Sequence, residues 1–380
     1  MIYLDNAATT RTAPEVVETM LPYFTECYGN AGSIYKLGTE SKKAVIQAKE
    51  TIAATLGVEP NEIYFTAGGS ESDNWAIKAA YETYRDKGRH IITSKIEHHA
   101  VLNTCAYLER QGAEVTYLNV DKDGLIDLEQ LKKAIRPDTI LITVMYANNE
   151  IGTIQPIREI GEIAAAHGIL FHTDAVQAYG QIPIDVEECH IDMLSASGHK
   201  FNGPKGIGFL YIEKKAKIRS FIHGGQQERG RRAGTENVAG IVGMETAVKR
   251  AYRIMEEKTK KEIELRDYLT TRILQEIPDT RLNGHSTKRL PGNVNVSFAS
   301  VEGESVLIML DMQGICASSG SACTSGSLDP SHVLLALGQT PEQAKGSLRL
   351  TLSEDNTRDE LDIVVEELKQ IVERIREHRI

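Results

Sequence analysis

Short apolar, β-branched runs alternate with stretches of helical periodicity through the middle of the chain. Residues 63–66, 90–94, 114–118, 139–146, 170–173, 192–196 and 208–212 read as strands. Between several of them, residues 74–84, 101–111 and 157–167 repeat apolar positions every three or four residues, as amphipathic helices do. A strand-helix-strand rhythm of this kind predicts an α/β protein with a mostly parallel, seven-stranded sheet. Ligands of such sheets bind beyond the carboxyl ends of the strands. Gly69 and Ser70, His98, Asn149, Asp174, and the stretch from Ser197 to Lys200 all fall at those ends.

From about Asn237 a long helical pattern runs past Tyr252 to Gln275, and a shorter α+β mixture follows. The expected division is a large domain over residues 16–252 and a small α+β domain made of residues 1–15 with 253–380. Thr357-Arg358-Asp359-Glu360 has the spacing of a capping box and opens a last helix with Leu361, Val364, Val365, Leu368, Ile371, Val372 and Ile375 on one face. That helix is core packing and carries no function.

With 380 residues and a net charge of −10, the chain is an unlikely partner for a phosphate backbone, so nucleic acid is not expected. The start, Met1-Ile2-Tyr3-Leu4-Asp5-Asn6, has neither the basic nor the apolar region of a secretory signal, and no apolar run approaches a membrane span. The five cysteines are scattered, with no Cys-x-x-Cys, which argues against a disulfide framework or a zinc site. A reducing cytoplasm and no metal of the protein's own are the expectation.

Ser195-Ala196-Ser197-Gly198-His199-Lys200 places a lysine among small and hydroxyl residues after a strand, shortly beyond Asp174-Ala175-Val176-Gln177. A lysine after a turn is ordinarily a surface residue. A Schiff-base lysine instead needs a rigid backbone and a desolvated amine, which the flanking Gly198 and Gly203-Pro204 turn favour. Asp174 is either a satisfied turn aspartate or the carboxylate that keeps a pyridine nitrogen protonated; at about 4 Å such a pair is worth about 4 kcal/mol at an effective dielectric near 20. Gln177 is placed to reach the phenolic oxygen of the same ring. Pyridoxal phosphate is the cofactor this set suits.

Ala67-Gly68-Gly69-Ser70-Glu71 reads as a strand-to-helix turn with free amides for a phosphate, although Ser70 would serve as an N-cap in any helix. No nucleotide-binding glycine motif occurs, so a monophosphate fits better. His98 and His99 are an ordinary histidine pair unless His98 stacks on a ring and shuttles protons. Asn149 is a turn residue or an amide donor to ligand. Arg349, in an apolar strand-like run, demands an anion: an amino-acid carboxylate held bidentately, or a structural ion pair. Thr235, in the glycine-rich loop that starts at Gly224, could donate to a phosphate in a neighbouring subunit.

The run from Ala317 to Ser327 is small, hydroxyl-rich and carries Cys323, whose surroundings favour a reactive thiol over a packed one. An ordinary thiol is only a few per cent ionised at neutral pH, at a cost of about 2 kcal/mol that a nearby imidazole or the cofactor can meet.

Taken in order, Tyr3 to Thr10, Tyr28-Gly29-Asn30, Gly69-Ser70, Glu97-His98, Asn148 to Gly152, Asp174 to Gln177, Ser197 to Lys200, Arg232 to Thr235 and Ser318 to Thr324 closely resemble the pyridoxal-phosphate cysteine desulfurases. These have the aspartate-aminotransferase-like fold of type I. The resemblance implies that Lys200 holds the cofactor covalently, Asp174 meets the pyridine nitrogen, and His98 stacks and transfers protons. It assigns the phosphate to Gly69, Ser70, Ser197 and His199, with Thr235 supplied by the partner of a homodimer. Gln177 and Asn149 would meet the ring oxygen or substrate, Arg349 the carboxylate of L-cysteine, and Cys323 would carry sulfur as a persulfide. The family often has threonine where this chain has Ser70, which keeps the hydroxyl. The cysteine segment resembles the long-loop branch, which implies delivery to a U-type iron-sulfur scaffold or another sulfur acceptor protein. Whether Cys323 is also a transient iron-sulfur ligand stays open. Another fold-type I activity, an aminotransferase or selenocysteine lyase, and a cofactor-free binding partner are the competing readings; neither an aminotransferase nor a binding partner has a use for Lys200 and Cys323 together.

Overall fold

The computed structural model describes residues 1–319 and 329–377. Cys323 lies outside the described residues. Seven strands form one sheet in the order Ile63–Thr66, Gly208–Ile212, Met193–Ser197, Leu170–Asp174, Thr139–Thr143, His90–Ser94 and Glu114–Leu118. Gly208–Ile212 pairs antiparallel with both neighbours, and the remaining pairings are parallel. All but the edge strand Glu114–Leu118 are buried along most of their length, which is why they read as near-continuous apolar runs rather than as alternating ones.

The expected elements differ mainly at their ends. The run at 139–146 pairs as a strand only to Thr143, because the Met145 N–H turns aside to the Glu97 carboxylate, 3.0 Å from each oxygen. The helix expected to begin at Asn74 begins at Gly69 and runs to Tyr84. Its inner face buries Trp75, Ala76, Ile77, Ala79 and Ala80 against the sheet, and the Trp75 indole N–H donates to the Arg219 carbonyl at 3.0 Å.

The helix Val238–Glu276 serves two cores. Its first half places Ile241, Met244, Ala247, Val248 and Ala251 against the seven-stranded sheet. Its second half places Leu265, Leu269 and Ile273 in a separate cluster with Val294, Val296, Leu348 and Leu350. That cluster lies on a three-stranded antiparallel sheet, Ser347–Thr351, Asn293–Phe298 and Thr280–Leu282, and under the last helix, Arg358–Glu377. The predicted capping box is present: the Thr357 N–H donates to Glu360 at 3.1 Å and the Glu360 N–H to Thr357 at 3.3 Å.

The N-terminal residues join the two cores. Ile2–Tyr3 pairs with Ile315–Cys316, Leu4 is buried in the second core, and residues 5–10 then run across to the end of the strand Met193–Ser197. No helix among the described residues is long and apolar enough to cross a membrane.

Candidate active site

Most of the predicted site residues line one cavity of about 970 Å³: Gly69, Ser70, His98, Asn149, Asp174, Gln177, Ser197, His199, Lys200 and Arg349. Each comes from the carboxyl end of a sheet strand or, for Arg349, from the facing three-stranded sheet. Thr235 is exposed and is not part of this cavity.

The strand Ile63–Thr66 leads through Gly68 into the helix that starts at Gly69. Gly68 has φ +148°, which a side chain would oppose, and a Cβ on Gly69 would sit 2.5 Å from a Val176 methyl. Glycine thus lets the helix start approach the loop after Asp174. Ser70 is not the N-cap: Gly68 holds that position, no side chain caps the helix, and Ser70 is exposed at the cavity. Its hydroxyl and the first-turn amides make an anion cradle, with Glu71 set aside by pairing with the Ala67 N–H and with Arg232. His199 stands opposite, its Nδ1 3.1 Å from the Thr9 hydroxyl; burial, with the charges of Lys200 and Lys205, lowers its pKa to about 4. It is therefore a neutral hydrogen-bonding group.

Lys200 ends the short 3-10 turn Gly198–Lys200, and its amine donates to the carbonyls of Ala7 at 2.5 Å and Ala8 at 2.8 Å. The Lys200 carbonyl accepts from Gln181 at 2.8 Å, and Lys258 in turn donates to Gln181 at 2.8 Å, which fixes the backbone under the amine. Gln177 also donates to the Ala7 carbonyl, at 3.0 Å.

Asp174 is buried, and its Oδ1 accepts from the Val176 N–H at 2.9 Å. Burial raises its pKa, while His98, that N–H and Lys200 pull the other way. His98 caps the helix His99–Glu109, its Nδ1 accepting from the Ala100 N–H at 3.1 Å. In the neutral ring that bond leaves the proton on Nε2.

Behind these residues lie acids that the sequence reading assigned no role in the site. Asp73 is wholly buried, and ligand atoms of Asp73, His98 and Asp174 lie within 4.8 Å of one another. Burial, then the charge of Asp174, raises the Asp73 pKa well above that of an ordinary aspartate. Asp174, unlike Asp73, also has His98, Lys200 and the Val176 N–H favouring its charged form. Helical periodicity held the signal, since Ala76 and Ile77, three and four positions on, belong to the buried face.

Glu97 is the second missed acid. Burial pushes its carboxyl up to about 8, against bonds from the Ser94 hydroxyl at 2.6 Å and the Met145 N–H. Such an acid is protonated in the folded chain and ionised in the unfolded one, so its contribution makes stability fall as pH rises from about 4.5 towards about 8. Glu97→Gln removes this titration and keeps an oxygen for Ser94 and Met145. Between about pH 5 and pH 8 the variant's stability, followed by thermal melting, should fall less than that of the unsubstituted chain, by up to about 1.4 kcal/mol per pH unit. Equal slopes would contradict the assignment.

Arg349 is only 2% exposed in its strand. Its Nη1 donates to the Asn149 carbonyl and its Nη2 to the Asp5 carboxylate, both at 2.9 Å, while Nε has no partner among the described residues. Of the two readings of this arginine, the structure shows the ion pair, in a side chain that also lines the cavity.

Residues 2–364 match the aminotransferase class-V family. The cysteine desulfurase IscS of Methanosarcina thermophila is 58% identical over 99% of this chain and 93% of its own length. That of Dictyoglomus turgidum is 52% identical over 99% of this chain and 95% of its own. Among solved structures, a NifS-like protein superposes with a TM-score of 0.92 at 39% identity, covering 98% of this chain and 99% of that one. SspA in complex with cysteine superposes with a TM-score of 0.83 at 40% identity, covering 93% and 99%. The chain belongs to the aminotransferase class-V family of pyridoxal-phosphate-dependent enzymes and, within it, to the cysteine desulfurases.

Proposed function

We propose that this chain converts L-cysteine to L-alanine, keeps the sulfur on Cys323 as a persulfide, and passes it to an acceptor protein. The observation that carries the reading is the single cavity where Lys200, Asp174, His98, Gln177 and Arg349 meet the start of the helix Gly69–Tyr84. A lysine amine, a buried acid and an anion cradle are the donor set that pyridoxal phosphate requires, and the cavity has room for it. When bound, that cofactor supplies a covalent anchor for amines and a sink for electrons.

Each residue then has a task. Lys200, its amine oriented by the Ala7 and Ala8 carbonyls, would hold the cofactor covalently and would be the group that moves the proton at the substrate Cα. Asp174 would be the anion for the pyridine nitrogen, and Gln177 and Asn149 would meet the ring oxygen and substrate. Gly69, Ser70, Ser197 and His199 hold the phosphate, and Thr235 adds to the partner subunit's site. His98 stacks and returns protons from Nε2. Arg349 orients the substrate carboxylate. The Cys323 thiolate forms a bond to the substrate sulfur, and the carbon-sulfur bond breaks with its electron pair going to the substrate carbon, where a proton completes alanine.

A homodimer is part of this reading. Thr235 is exposed and does not line the cavity of its own subunit, and Val17, Leu21, Phe24 and Tyr28 leave an apolar surface near the chain start, with Phe24 60% exposed. The change of core along Val238–Glu276 supports a large domain of residues 16–252 and a small one of residues 1–15 with 253–380. A cytoplasmic enzyme serving a U-type scaffold or another thio-cofactor acceptor is the setting we infer.

The test is to incubate the cofactor-loaded chain with L-cysteine and measure alanine, sulfide and the persulfide by mass spectrometry. Alanine and a Cys323 persulfide are expected without any keto acid. Alanine formed only when pyruvate is added would identify an aminotransferase instead.

A further inference from the structure

The arginine assigned to the substrate carboxylate already holds a carboxylate. Asp5 Oδ1 lies 2.9 Å from Arg349 Nη2, and the pair is sheltered, with the side chains 17% and 2% exposed. Asp5 is held there by its backbone: its carbonyl accepts from the Ala8 N–H at 3.0 Å and the Tyr3 hydroxyl at 3.2 Å. Asn6 and Ala7 are tied to Thr351, two residues from Arg349 on the same strand. The guanidinium is fixed from the other side by the Asn149 carbonyl. Arg349 lines the cavity, and of its remaining N–H groups that of Nε is buried and without a partner among the described residues.

We propose that Asp5 is a specificity-determining residue that acts through Arg349: a resident carboxylate that lowers the clamp's affinity for the carboxylate of substrate and product. This rests on the reading of Arg349 as the clamp. A guanidinium already paired with Asp5 is electrically satisfied, so a second carboxylate gains less from it and is repelled by the first. The same Asp5 bond keeps the planar donor fork oriented towards the cavity, so the loss of affinity comes with a defined geometry. Weaker holding of the α-carboxylate favours release of L-alanine, whose carboxylate is that of L-cysteine unchanged.

Asp5→Asn removes the charge and keeps an oxygen for Nη2, while every backbone bond of the segment survives. In the cofactor-loaded enzyme, calorimetric titration should show L-alanine binding about tenfold tighter in this variant, and KM for L-cysteine should fall while kcat does not rise. Asp5→Ser carries the same expectation should the Asn variant fold poorly, and Asp5→Glu, which keeps the charge, should stay near the unsubstituted enzyme. L-alaninamide, which lacks the carboxylate, should gain nothing from either neutral variant. Unchanged or weaker L-alanine binding in the neutral variants, or equal tightening for the amide, would overturn the proposal. Arg349→Gln separates the two layers: if it leaves L-alanine binding unchanged, the clamp reading itself fails. If it weakens binding while Asp5→Asn does not strengthen it, only the role of Asp5 is lost.

Discussion

Lys200→Ala is expected to lower cysteine turnover by about four orders of magnitude or more and to abolish the visible absorbance of covalently held cofactor. Two losses combine. The amine that anchors the cofactor is gone, and so is the group placed to move the proton at the substrate Cα, a task worth about 10²–10⁴ on its own. The surrounding structure should be spared, because the Gln181 bond to residue 200 uses the backbone carbonyl and Ala7 and Ala8 are tied elsewhere to Thr351 and Asp5. Lys200→Arg keeps the charge but not a reactive amine, and should be as inactive as the alanine variant. The measurements are absorbance after loading with pyridoxal phosphate, borohydride trapping followed by peptide mapping, and turnover. Trapping at another lysine, or turnover within tenfold of the unsubstituted enzyme, would remove Lys200 from the mechanism.

Lys200 could be picked out from the sequence because its neighbours are unusual for a surface lysine, and the strand before it has a clear apolar run. Asp174, Gln177 and the Gly68-Gly69 turn were legible for the same reason: each follows a strand, where a parallel sheet presents its ligands. The sheet itself was legible because buried parallel strands carry apolar residues on both faces. What could not be read were contacts made by sequence-distant segments. Nothing local marks Ala7 and Ala8 as the acceptors for the Lys200 amine, or Asp5 as the partner of Arg349, since more than three hundred positions separate Asp5 from Arg349. The buried acids with raised pKa values are a third kind of case. Asp73 looks like any first-turn aspartate until helical phase places it beside buried Ala76 and Ile77, and Glu97 has no periodic signal at all.

Cys323→Ala should lower sulfide release at least about a hundredfold and eliminate the persulfide, while leaving the visible absorbance of bound cofactor unchanged. The remaining cysteines are poorly placed to replace it. Burial pushes the Cys105 thiol up to about 12 and that of Cys189 to about 11, so neither is a thiolate at neutral pH. Cys316 pairs through its backbone with Tyr3, and neither it nor Cys27 lines the cavity. Ser318, by contrast, exchanges backbone hydrogen bonds with Arg349 at 3.2 and 2.7 Å, so the chain reaches the wall of the site shortly before Cys323 in sequence. Cys323 lies five positions beyond Ser318, a reach of at most about 18 Å for an extended chain. Because Cys323 is assigned sulfur transfer and not cofactor binding, its removal should separate the two functions. Cys323→Ser tests the same point with the volume nearly preserved, since a hydroxyl cannot accept sulfur as a persulfide. An alanine variant that still forms a persulfide would transfer the role to another of the five cysteines, and one that lost the cofactor absorbance would show that Cys323 belongs to the binding site instead.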